Sequence, residues 1–139
     1  MDILRAVSDP AIFGSAFRKP ETWAAWRSFL AALFGLPMDD AQLAIFTECT
    51  QRTDSPSAPS NEAWLVCGRR AGKSFMLALV AVFISCFRDW RPFLGPGEAA
   101  TVMIIAADRR QAESLTGVTK SVAISIKLIG VCHSETIVV

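Results

Sequence analysis

The chain reads as an α/β protein: a parallel sheet core with flanking helices, preceded by N-terminal helices. Three observations predict this. Two short apolar runs, WLVC at Trp64–Cys67 and VMIIAA beginning at Val102, have the near-continuous hydrophobicity of strands buried on both faces. Between them, Phe75 to Phe87 is a longer apolar stretch with helical character. The hydrophobic fraction is 52% before glycine is counted, above the usual ~45–50% for soluble domains on the inclusive count. Doubly covered strands account for that excess, as do surfaces meant to be covered by further sequence.

The organisation follows from the N-terminus. Residues 1–18 lack strong periodicity and stay unassigned, apart from a turn at Asp9-Pro10 and Ile12-Phe13 as a candidate docking pair. Residues 19–50 form a helical segment. Its first helix opens at Lys19-Pro20-Glu21, because proline suits the first helical position. Trp23, Trp26, Leu30, Leu33 and Phe34 then recur on one face, and Gly35 ends it. By its helical spacing, the aromatic stripe reads as a docking face rather than a platform for stacking bases. A second helix begins near Asp39 and runs through Leu43, Phe46 and Cys49 toward Thr50. Residues 51–61, QRTDSPSAPSN, are a polar, proline-containing linker that buries little apolar area and is expected to be mobile. Residues 62–139 carry the core.

The chemistry sits where the first apolar run meets the long helix. EAWLVCGRRAGKSF reads as strand, turn, helix, with Gly68, Arg69, Arg70, Ala71, Gly72, Lys73 and Ser74 in the turn. A nucleoside triphosphate needs what such a turn supplies: backbone N–H groups without helical partners and the positive end of a helix dipole. Lys73 is placed to neutralise the β/γ-phosphates and Ser74 to bind Mg²⁺. The loop departs from the usual phosphate-loop pattern, since Cys67 stands where the first glycine is expected and Gly68 comes one place later. The bland alternative makes Gly72 a turn glycine and Lys73 and Ser74 ordinary first-turn residues.

CGRRAGKS resembles the deviant Walker A loop of phage terminase large subunits, the ATPases that drive DNA into empty capsids. In that family an arginine stands inside the loop and the first glycine is often replaced. FGLPMDDAQLAIF is similar to the family's upstream glutamine motif and TVMIIAADRRQAES to its second core strand and following loop. The resemblance covers roughly Trp23 to Ser114. It implies a partial P-loop NTPase fold, ATP and Mg²⁺ as ligands, and Gln42 reading the adenine edge. One of Arg69 or Arg70 would act near the γ-phosphate beside Lys73, the resemblance leaving open which. It further implies double-stranded DNA, a portal protein and a small terminase subunit as partners, in the cytoplasm of a bacterial host. Gln42 has an alternative role, because Asp39-x-x-Gln42 is also a helix capping box.

Hydrolysis needs a second metal-holding carboxylate and a group that orients water. No apolar strand among these residues is followed by two adjacent carboxylates, and Asp39-Asp40 better suits a helix start. The expectation is therefore an incomplete ATPase, without the Walker B carboxylates or nuclease domain of the family, that binds ATP weakly and turns it over negligibly. Ala100–Ala106 is expected as the second strand. Asp108 is expected to cap a helix through about Ser114 that starts with Arg109 and Arg110, which either contact DNA or are simply solvated. Val122, Ile124, Ile126 and Leu128 alternate as a strand does, and Thr136–Val139 is a further candidate strand.

Two other readings stay open: a small nucleotide or metabolite kinase sharing the loop, and a non-catalytic remnant with a membrane-associating helix. The apolar segment of thirteen residues falls short of the roughly twenty that cross a bilayer, so stable insertion is not expected. A net charge of +1 argues neither for nor against nucleic acid. Cys49, Cys67, Cys86 and Cys132 lack paired metal spacing, and no signal peptide is apparent, which fits a reduced, intracellular setting. His133 is a lone histidine with no evident partner for catalysis.

Overall fold

A computed structural model describes residues 1–100, residue 102 and the backbone of residues 136–138. The chain divides into two compact units, Met1–Ala63 and Trp64–Val139.

The first unit is helical. Its opening helix, α1 (Ile3–Ser8), is capped by Asp2, whose carboxylate accepts the Arg5 backbone N–H at 2.8 Å. Ile3, Ala6 and Val7 are buried at the i, i+3, i+4 spacing of a single helix face. Asp9 then turns the chain, its side chain accepting the Ala11 N–H at 2.8 Å. A 3₁₀ turn over Pro20–Trp23 leads into α2 (Ala24–Leu33), which packs against α1 and against α3 (Asp40–Thr50). Trp26, Leu30 and Leu33 are buried, so most of the expected aromatic and leucine stripe is core. Arg27 reaches across to the Ser8 hydroxyl at 3.0 Å, a polar tie between α1 and α2. Helix α2 closes in a Schellman arrangement. Gly35 is left-handed at φ +60°, its N–H bonds to Ala32, and the Leu36 N–H bonds to Ala31 at 2.9 Å.

The linker after α3 is partly pinned. The Ser60 N–H bonds to the Leu33 carbonyl at 2.9 Å, and the Ala58 backbone lies so close to Gly35 that a Cβ there would stand 2.2 Å from it. The last α2 carbonyls have no intrahelical donors, and the linker backbone supplies one. Its polar side chains stay in water, which is why composition alone marks it as loose.

In the second unit, α4 (Lys73–Phe87) is the main element. Ala78 to Phe83 are six consecutive buried residues, so every face of the helix is covered there. A helix that is apolar all round belongs inside a core. Its C-terminal end is closed by Trp90, whose indole N–H bonds to the Ile84 carbonyl at 2.9 Å, while Arg88 lies 4.8 Å from the Trp90 ring.

The described residues correct the expected fold class. They are mostly helical, and strand is limited to the three-residue runs β1 (Glu62–Trp64) and β2 (Thr136–Val138). Two such short runs are not the parallel sheet core of an α/β P-loop NTPase fold. The run Trp64–Val66 is not a buried strand either: regular pairing stops at Trp64, which is 75% exposed, and Val66 is fully exposed. Apolar composition told of strand propensity but not of the neighbours needed to cover both faces. Ala100 and Val102 have no regular structure. The remainder of the expected second strand, the Asp108 helix with Arg109 and Arg110, and the 122–128 alternation lie outside the described residues.

Candidate functional site

The candidate site is the turn from Gly68 to Ser74 that feeds α4. Its shape comes from two left-handed residues. Arg70 has φ +62° and Gly72 φ +83°, while Ala71 between them is not left-handed. Two positive-φ residues two places apart bend the backbone sharply just ahead of the helix. Gly72 adopts its φ without steric penalty, whereas Arg70 does so at about 1–2 kcal/mol. The sequence holds a signal for the first and none for the second.

Gly72 is the N-cap of α4, and its carbonyl accepts the Met76 N–H at 3.0 Å, the first helical bond. Glycine brings no capping side chain, whereas the N-termini of α1 and α3 are capped by Asp2 and Asp39. Among the described residues, the positive end of the α4 dipole, about half an elementary charge, therefore carries no carboxylate cap. Lys73, the first helical residue, sends its side chain back over the turn, where Nζ donates to the Gly68 carbonyl oxygen at 2.9 Å. The ammonium is thus held above the loop rather than extended into solvent. That contact makes Gly68 the residue on which the turn closes, one place after the position the usual pattern assigns.

Gly68, Arg69, Arg70 and Ser74 are exposed; Ala71, Gly72, Lys73 and the neighbouring Cys67 are half-buried. No acidic residue occurs between Glu62 and Asp89. Among the described residues, none of Arg69, Arg70 and Lys73 pairs with a carboxylate. Three cations and a helix N-terminus consequently share one turn, an arrangement that attracts a polyanion.

Gln42 belongs to the first unit and is engaged there. Its Oε1 accepts the Asp39 backbone N–H at 3.2 Å, and its own N–H donates to Asp39 Oδ1 at 2.7 Å, completing the capping box. Reading an adenine edge takes both the oxygen and the nitrogen of an amide, and the oxygen is committed to the helix start. The capping role is the one the structure displays.

At the far end of α4, Asp89 and Arg91 make a two-pronged pair, both bonds at 2.9 Å. The Arg91 guanidinium holds the Asp89 carboxyl below its ordinary range, first through the side-chain hydrogen bond. This pair lies a full helix length from the loop, in the exposed turn before Pro92.

No protein-family model, no curated protein and no solved structure matches this chain.

Proposed function

We propose that the Gly68–Ser74 turn binds the phosphates of Mg·ATP, and that the chain is an ATP-binding part of a viral DNA-packaging motor. The observation that carries the nucleotide reading is the Lys73 ammonium held 2.9 Å from the Gly68 carbonyl across a turn with left-handed Arg70 and Gly72. A phosphate entering the turn offers Lys73 a stronger, charge-assisted partner than a neutral carbonyl. Ser74, exposed in the first helical turn, supplies the hydroxyl for Mg²⁺. Arg69 and Arg70 add cations for the outer phosphates. The packaging assignment rests on the sequence likeness of CGRRAGKS and its flanks, and double-stranded DNA follows from that likeness.

The proposal is one of binding: hydrolysis would also need a metal-holding carboxylate and a group that orients water. The membrane-associating alternative has the less support. Helix α4 has fifteen residues, about 22 Å, against a hydrocarbon thickness of about 30 Å. Among the described residues no helix is long and apolar enough to cross a membrane.

Calorimetric titration of the purified chain with Mg·ATP tests the proposal. Saturable binding that Lys73→Ala weakens roughly ten- to hundredfold is expected, the worth of one charge-assisted contact at ~1.5–3 kcal/mol. Binding that is absent, or indifferent to Lys73, overturns it.

A further inference from the structure

We draw no further inference here: the strongest candidate, the surface patch of Arg88, Trp90, Arg91 and Phe93 at the C-terminal end of α4, has its indole N–H bonded to Ile84 and Arg91 paired with Asp89, and nothing in the structure shows what covers the exposed Phe93.

Discussion

Lys73 and Gly68 close the turn ahead of α4 on themselves: the ammonium of the first helical residue donates to a carbonyl five residues earlier, at 2.9 Å. The bond orients the one side chain that a phosphate would need most. It is exposed, so its own worth is at the low end of the ~0.5–1.5 kcal/mol of a typical hydrogen bond. A weak tether of that kind holds the ammonium in place without competing strongly with an anion. Lys73→Ala should therefore leave thermal unfolding nearly unchanged in the absence of nucleotide, within about 1 kcal/mol. The stabilisation that Mg·ATP confers on the parent chain should shrink in the variant, because ligand binding to the folded state raises stability through mass action. A large loss of stability without ligand would mean that Lys73 is structural.

The two arginines should separate by backbone rather than by charge. Arg70 is left-handed and Arg69 is not. Arg70→Gly removes an αL penalty of about 1–2 kcal/mol, which offsets the ~0.4–1 kcal/mol that glycine costs through the freer unfolded chain. Arg69→Gly bears that cost with nothing to offset it. Urea unfolding should place Arg70→Gly at or above the parent and Arg69→Gly below it. The reverse order would show that the turn is not shaped as described. Both variants should bind Mg·ATP less well than the parent, through loss of a nearby cation.

Much of the helical layout was legible in residues whose role is local. Pro20, Gly35, Asp39 and Gly72 each act within one turn of the chain, and each marks a helix end close to where it falls. The cap at Asp2 followed by Ile3, Ala6 and Val7 carried the same signal for α1, in a stretch too short for its periodicity to stand out. The sheet was not legible. Strand burial depends on partners far away in sequence, so the hydrophobicity of Trp64-Leu65-Val66 could not say that Trp64 and Val66 would be exposed. In the candidate site, glycine and lysine positions announced the turn. Nothing in the residue type announced that Arg70 would be left-handed, or that Gly68 rather than residue 67 would accept the lysine.

Gly35 offers a sharp test of the linker's attachment. A Cβ there would meet the Ala58 backbone at 2.2 Å, on top of a left-handed φ of +60°. Gly35→Ala should cost about 2–4 kcal/mol, the sum of the αL penalty and the displacement of packed backbone. Gly97 is the control, left-handed at φ +84° with nothing within 4 Å of its would-be Cβ. Gly97→Ala should lose only the conformational part, about 1–2 kcal/mol. Equal losses in chemical denaturation would mean that Ala58 and Pro59 yield freely and that the linker is not pinned.

The Asp89–Arg91 pair gives a pH signature of known sign. Hydrogen bonding to Arg91 depresses the Asp89 carboxyl in the folded chain. Its contribution is present above the unfolded carboxyl's pKa and is lost as pH falls through the depressed folded value. The group is fully exposed, so the effect is local to the turn at residues 89–93. An NMR titration should find Asp89 below the ordinary aspartate range and return it toward that range in Arg91→Ala. An Asp89 titration unmoved by that substitution would remove the pair as its cause.

Gln42 separates a structural role from a nucleotide-reading one. With its Oε1 on the Asp39 N–H and its N–H on Asp39 Oδ1, it completes one helix start from both sides. Asp39→Ala removes the acceptor and should destabilise the first unit by about 1 kcal/mol, as loss of an N-cap does. Gln42→Ala removes only the returning bond and should cost less, about 0.5 kcal/mol. If the side chain serves the cap, Gln42→Ala leaves the ratio of ATP to GTP affinity as it was, whatever happens to stability. If it reads adenine, the ratio should fall, because an amide facing the Watson–Crick edge of adenine presents a donor and acceptor that guanine mismatches. Competition titration of the variant with the two nucleotides distinguishes these outcomes, and the capping geometry predicts an unchanged ratio.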